Sequence, residues 1–340
     1  MRYIRLSLVI ISIVVFAACK TNVQKVKGPL TIAFYNAENL FDTIDAPNKF
    51  DEEFTPADPK NWNTAKYEKK LHDLARVIRA IDSVKFPAIV GMAEVENDVV
   101  LKDLVAQSSI AKANYQIVWE DGPDFRGIDC ALLYQPSIFQ FESYESIPVV
   151  DKEELDFKTR DVLYVKGKMG GEEFHILVNH WPSRRGGAEA SEPKRILAAH
   201  VVRKQVDKIF AQDPKANIII MGDMNDEPGN MSLSDVLMAL PNKTDVNDDQ
   251  LVNLMYDDYE AGKGSYSYRG GWDMIDNIVV SGALINKTEG LKSKLDNGFI
   301  FHQSFMEYKN NNGEISPNRT YGRTYYGGIS DHFPVYMILN

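Results

Sequence analysis

The stretch NIIIMGDMNDEP, residues 217–228, decides how the chain is read. Four consecutive large apolar residues, Ile218 to Met221, have the length of a buried strand. They run without a break into Gly222, Asp223, Asn225, Asp226 and Glu227, so a strand buried on both faces ends in a cluster of oxygen-bearing side chains. The same grammar recurs along the chain. Leu30–Tyr35 leads into Asn36, Glu38 and Asn39, and Ala88–Met92 into Glu94, Glu96 and Asn97. Phe174–Val178 leads into Asn179 and His180, whereas Asp273 and Asp276 precede the run Asn277–Val280. Ser330, Asp331 and His332 precede the last run, Pro334–Leu339. Cys130–Tyr134 is a further short apolar run.

Between these runs lie segments with apolar residues three and four apart. Tyr67, Leu71, Leu74, Ile78 and Ile81 predict a helix over Thr64–Val84, and Ile196, Ala199, Val202, Val206 and Ile209 predict one over Glu192–Phe210. Strands alternating with helices make the class α/β or α+β. Asp42–Asn63, rich in Asp, Pro and Asn, reads as a long surface loop.

Of the 340 residues, 44% are hydrophobic and 25% charged, a globular composition. The net charge of -10 gives no long-range attraction for nucleic acid, so phosphate recognition needs a local cationic cluster or a bound metal. Arg2 and Arg5 precede an apolar run, Leu6–Phe16, and Ala17, Ala18 and Cys19 follow it. The run is too short for a membrane span, which needs about 20 apolar residues. It reads as a targeting segment, and Phe-Ala-Ala-Cys resembles the lipobox of bacterial lipoproteins. The expected organisation is a signal peptide over 1–18, a tether over 19–29 beginning at a lipidated Cys19, and one domain over 30–340. That places the protein outside the cytoplasm, anchored to the outer membrane or cell surface. Cys130, the other cysteine, then has no partner and reads as a small buried hydrophobe.

Six strand ends rich in acids, amides and histidines share a rim if the strands converge. Those residue types suit hydrolysis of a phosphate ester. A hard divalent cation takes oxygen ligands and offsets the negative phosphate. A His near neutral pH handles the proton of water, and a carboxylate beside it fixes its tautomer. No H-E-x-x-H zinc pattern, P-loop or G-x-S-x-G elbow occurs.

In order, Asn36, Glu94, Asn179-His180, Gly222-Asp223-Met224-Asn225, Asp276 and Ser330-Asp331-His332 resemble the endonuclease/exonuclease/phosphatase superfamily over about Leu30–Asn340. The resemblance implies a four-layer α/β sandwich, two mixed β-sheets face to face flanked by helices, with the site at one edge. It implies that Glu94 holds the metal with Asn36 beside it and that Asp331 contacts a metal-bound water or a second metal. His332, oriented by Asp276, acts on the attacking water. Asp223 positions the nucleophile, Asn225 contacts phosphate and His180 stabilises the transition state. Magnesium is the expected ion, with manganese and calcium open.

The chain departs from the family in having Ala93 where many members have Gln before the metal Glu. Glu96, which shares a strand face with Glu94 by simple alternation, is weighed as a ligand or a surface acid. Glu38 is weighed as metal-proximal or a loop carboxylate, and Asp129 as a rim residue. Arg184 and Arg185, close after His180, read as a phosphate grip or a solvated turn. Tyr266, Tyr268, Trp272 and the segment Tyr321–Tyr326 read as base-stacking groups, pocket walls or plain packing. The expected partners are a phosphate-ester substrate, nucleic acid among the candidates, and the membrane through the lipid on Cys19. No protein partner is inferred, and the chain is expected to be a monomer.

Overall fold

The computed structural model describes residues 28–154 and 156–340; the signal segment, Cys19 and most of the tether lie outside them. In chain order the strands are β1 (Leu30–Leu40), β2 (Ile89–Val95), β3 (Gln116–Trp119), β4 (Asp129–Tyr134), β5 (Phe139–Ile147), β6 (Val162–Met169), β7 (Glu172–His180), β8 (Asn217–Asp223), β9 (Ala239–Pro241), β10 (Leu251–Asn253), β11 (Tyr266–Tyr268), β12 (Gly271–Asp273), β13 (Asp276–Ser281), β14 (Gly298–Ile300), β15 (Glu307–Lys309), β16 (Ile315–Pro317) and β17 (Val335–Leu339). The helices are α1 (Thr64–Ile81), α2 (Asp98–Val105), α3 (Ala188–Gln212), α4 (Tyr256–Glu260) and α5 (Gly282–Asn286).

One mixed sheet has the order β14-β17-β1-β2-β4-β3 and the other β5-β6-β7-β8-β13-β10-β9. Period-two alternation in the central strands explains the stack. In β1, Ile32 and Phe34 enter the core between the sheets, whereas Tyr35 and Ala37 face the α1 and α2 side. In β8, Ile219 and Met221 enter the shared core, and Ile218 and Ile220 meet α3. Three apolar layers therefore bond four layers of secondary structure, the expected four-layer sandwich. The sheets approach closely at Gly91, where a Cβ would lie 2.5 Å from Met221 Sδ.

α1 starts at Thr64 because the Asn63 side chain accepts from the Lys66 amide, and it buries Tyr67, Leu71, Leu74 and Ile78. It stops at Ile81 rather than Val84, since Asp82 is extended and caps the amides of Val84 and Lys85. α3 begins four residues before the apolar periodicity does. β1, β7 and β8 run on through their polar tips, which the apolar pattern places beyond the strands. The segment Asp42–Asn63 is not wholly superficial. Its Phe54 and Trp62 are buried, Phe54 stacking on Phe41 at 4.1 Å between centroids. No helix among the described residues is long and apolar enough to cross a membrane.

Candidate active site

Parallel pairing of β7 with β8 places His180 beside Asp223, and antiparallel pairing of β13 with β8 places Asp276 opposite Asp223. In the other sheet β1 lies between β2 and β17, bringing Asn36 to Ala93 and both near the turn that precedes β17. Ser330 Oγ joins them, donating to Asn36 O at 2.8 Å and accepting from the His332 amide at 3.1 Å. Gly222 precedes Asp223 for a steric reason. A Cβ there would sit 2.3 Å from Asn179 O, so only glycine lets the tips of β7 and β8 close up.

The tips carry backbone strain as well. Glu38, Asn39, Glu94 and Asn225 all have positive φ, 49°, 57°, 60° and 50°. Non-glycine residues pay for that conformation, and its recurrence around one rim marks geometry held by its surroundings. At Glu94 it breaks strand alternation, so Glu94 and Glu96 do not share a face. The Glu96 carboxylate is buried and accepts from the Asp42 amide at 2.7 Å; it is neither rim ligand nor surface acid. Glu38 is also buried, accepting from the amides of Thr320 and Tyr321. Asp129 is buried and accepts from the Gly122 amide at 3.1 Å.

The remaining acids and histidines form a continuous arc. Glu94 Oε1 and Asp223 Oδ2 each lie 3.7 Å from His180 Nε2. Asp223 Oδ2 is 3.8 Å from His332 Nε2, and Asp331 Oδ1 is 3.8 Å from the same nitrogen. These five residues, with Arg184, Arg185 and Asn225, line an open cavity of about 360 Å³. Asn36 and Asp276 stand directly behind it. Asn36 Nδ2 donates to Asp223 Oδ2 at 3.0 Å, and Asp276 Oδ2 sits 2.6 Å from His332 Nδ1 while accepting from Ser265 Oγ. All ten residues singled out in the sequence thus fall within this one region.

Their surroundings push the two histidines in opposite directions. Burial disfavours the imidazolium of His332, but Asp276 and Asp223 outweigh it and raise its pKa well above the ordinary value. Burial and the guanidiniums of Arg160 and Arg126 push that of His180 well below, which favours the neutral ring. Burial also raises the Asp223 carboxyl.

Asp223, Asp276 and His332 offer ligand atoms within 4.8 Å of one another. Since His332 Nδ1 and one Asp276 oxygen already engage each other, Asp223 and His332 Nε2 are the parts of that group left facing the cavity. Glu94 adds a carboxylate oxygen from β2, and Asn36 Oδ1, which among the described residues accepts only from the Glu38 amide at 2.9 Å, keeps a lone pair. Several carboxylates converging with a side-chain carbonyl fit a hard divalent cation. Asp331 stands further along the arc, tied to Arg319 at 3.0 Å.

The two arginines differ. Arg184 Nε donates to Asn225 O at 2.7 Å and Nη2 to Asn230 Oδ1 at 3.3 Å, so it braces the loop after β8. Arg185 is exposed, with no ion pair among the described residues. Sequence reading overlooked Arg126, which lines the cavity, and Arg160. Buried Arg160 donates to His180 O at 3.1 Å, to Trp181 O and to Asp124 Oδ2 at 3.1 Å, fixing the backbone that carries His180. Its polar setting, Thr159-Arg160-Asp161 just before β6, was the available signal. Tyr266 belongs to the site, its ring 5.0 Å from that of His332, and Tyr268 lines the mouth. Trp272 is half-buried, stacks on Phe333 and lines a separate cavity, and Tyr321 packs against Trp62 in the core. Cys130 is buried and free.

A two-sheet sandwich with carboxylates, amides and paired histidines on one rim defines a metal-dependent phosphoesterase. The chain belongs to the endonuclease/exonuclease/phosphatase family, whose model matches residues 31–340. No curated protein matches it. Among solved structures it resembles a humanized TDP2 of D. rerio at 15% identity, with TM-score 0.56 over 92% of this chain and 99% of that one. A mannosyl-6-phosphatase of Bacteroides thetaiotaomicron matches at 19% identity and TM-score 0.55, over 92% of this chain and 99% of that one. D. rerio TDP2 complexed with single strand DNA product gives 15% identity and TM-score 0.55, over 92% and 100%. At such identities the likeness is one of fold.

Proposed function

We propose that this metal-dependent hydrolase cleaves phosphodiesters, in the manner of a nuclease, outside the cytoplasm, held to a bacterial membrane by a lipid on Cys19. The observation that carries the reading is the His332–Asp276 pair facing Asp223 across an open cavity that Glu94 and His180 close on the far side.

Asp276 holds Nδ1 of His332, so Nε2 points at the reacting centre and can hold or move the proton of the attacking water. Asp223, fixed by Asn36 and by the Asn225 amide at 2.9 Å, orients that water. Neutral His180 can donate to a non-bridging oxygen as charge builds there, and Asn225 and Arg185 bind the phosphate. Glu94 and Asn36, with Asp331 further out, are the residues that would hold the ion. Magnesium there would polarise the phosphoryl group and offset its charge. Hard oxygen donors favour magnesium, and they also admit manganese and calcium.

A phosphomonoester or lipid headgroup is the second reading. The cavity is small and the chain acidic, and one protein of similar fold is a mannosyl-6-phosphatase. The test is a substrate panel with magnesium: plasmid, single-stranded DNA, RNA, bis-p-nitrophenyl phosphate, sphingomyelin, inositol phosphates and mannose 6-phosphate. His332→Ala and Glu94→Ala run beside wild type. Hydrolysis of the diesters, lost in both variants, is expected. Equal inertness of all three proteins with every divalent ion refutes the reading, and cleavage of monoesters alone selects the second. For the anchor, Cys19→Ala is expected to move the processed protein from membrane to soluble fraction; unchanged membrane association refutes it.

A further inference from the structure

The active-site cavity continues into a second one of about 370 Å³, and Arg126, Ser183 and Arg185 line both. Its lining holds five cations, Arg126, Lys158, Arg160, Arg185 and Lys194, against a single acid, Asp124. In a chain of net charge -10 that is a local reversal of sign.

The acid does not neutralise the cleft. Asp124 lies 3.1 Å from Arg160 and 3.3 Å from Arg126, two cations on one carboxylate. Lys194 lies over the Phe157 ring, and its one ion pair among the described residues, with Glu154 at 3.3 Å, joins two substantially exposed side chains and is of little worth. Lys158 and Arg185 have no ion pair among the described residues.

Thr159 points to a ligand independently of charge. It lines the same cavity, it is 2% exposed, and among the described residues its hydroxyl has no hydrogen-bond partner. A buried hydroxyl left unpaired is costly, and an anionic oxygen in the cleft would satisfy it. The first turn of α3 supplies Ala190 and Ser191 to the wall, adding the positive end of a 25-residue helix.

We propose that this cleft binds a second phosphate of the substrate, adjacent to the one that is cleaved. The proposal rests on the phosphoesterase reading above and adds to it a substrate class: molecules bearing two neighbouring phosphates. The second phosphate belongs either to a small bisphosphorylated molecule or to the next link of a nucleic-acid strand, and the chemistry of recognition is the same.

The test compares wild type with the Lys158→Gln/Lys194→Gln double variant and with Thr159→Val. Turnover is read with magnesium on thymidine 5′-(p-nitrophenyl phosphate) with and without a 3′-phosphate. Binding is read by calorimetry with thymidine 3′,5′-bisphosphate against thymidine 5′-monophosphate, and with fructose 1,6-bisphosphate against fructose 6-phosphate. In wild type the second phosphate is expected to improve kcat/KM or affinity by about tenfold or more in at least one pair, as charge-assisted contacts do. The double variant is expected to bring that ratio close to one, and Thr159→Val to lower it. A gain confined to the thymidine pair assigns the phosphate to a strand, and one in the fructose pair to a small molecule. A wild-type ratio near one in every pair, or a ratio that the double variant leaves unchanged, overturns the proposal. If no chromogenic substrate is cleaved but the bisphosphate advantage in binding is present and lost in the variant, the cleft stands and the phosphoesterase reading is what fails.

Discussion

Replacing Arg160 by Met tests whether the scaffold behind His180 is what the geometry says it is. The guanidinium is buried and satisfies three acceptors, the carbonyls of His180 and Trp181 and the Asp124 carboxylate. Met keeps much of the volume and removes all three partners. Breaking a buried ion pair from one side costs about 3–5 kcal/mol, because the surviving charge stays buried. Arg126 remains at 3.3 Å from Asp124 and offsets part of that. The two stranded carbonyls add about 1–3 kcal/mol each where no water reaches them. These terms overlap, and a net loss of about 4 kcal/mol is expected, against a total stability of roughly 5–15 kcal/mol for a domain. The variant should therefore fold. Urea unfolding with an unchanged m-value reads the loss directly. Released from its anchor, the His180 backbone shifts, and kcat should fall about 10–100-fold with little change in KM. Arg160→Lys should recover part of the stability, since it keeps the charge but not the three-way fork. A stability change below about 1 kcal/mol would refute the buried-pair argument. A full loss of stability with unaltered kcat would refute the positioning of His180.

Asp276→Asn keeps the shape beside His332 but removes the charge that orients it; kcat is expected to drop by about 10²–10⁴-fold with the fold intact by circular dichroism. Retention of more than half the activity would count against the pair. Burial lifts the Asp129 carboxyl from 3.8 to about 7, so the folded state favours its neutral form. Its contribution is complete below the unfolded pKa and is lost as pH rises through about 7; Asp129→Asn should then raise stability at pH 8 relative to pH 5, by up to ~3 kcal/mol. Parallel pH–stability curves for the two proteins would contradict this. Gly222→Ala drives a Cβ against the Asn179 carbonyl and should cost about 1–3 kcal/mol or more, with activity lost as the β7 and β8 tips separate. A variant with normal melting temperature and turnover would show that the close approach is dispensable.

The alternation of strands with helices and the polar strand ends were legible because both rest on short-range patterns, whereas the four-layer sandwich and the residue roles were implied by the family resemblance. Apolar runs such as Ile218–Met221 name the buried strands, and the polar residues abutting them name the rim. What stayed hidden depends on long-range geometry. β5 carries few buried apolar residues and does not announce itself, Phe141 and Tyr144 being exposed. The left-handed backbone at Glu94 leaves no trace in the pattern, so Glu96 looked like its neighbour on the rim. Arg160 drew no reading from the sequence, because its partners, the His180 and Trp181 carbonyls and the Asp124 carboxylate, lie in other segments. Arg184 and Arg185 are adjacent in sequence, chemically alike and both on the cavity wall, yet Arg184 is tied to the loop after β8 whereas Arg185 is exposed. Nothing local to the dipeptide separates them.

The pairing of β1 with β17 joins the two ends of the domain at its centre, and Ser330 reaches Asn36 across 294 positions. This sets a schedule for the catalyst. While the chain is being made, the residues from Asn36 to Asp276 can all have emerged and the sheets can have begun to pack, yet neither His332 nor the strand that seats it is present. A nascent or clipped chain lacking this segment is without β17, which joins β14 to β1, and without the His332–Asp276 pair. Hydrolytic competence therefore arrives in one step with the last strand, and loss of that strand alone would return the protein to an inactive state.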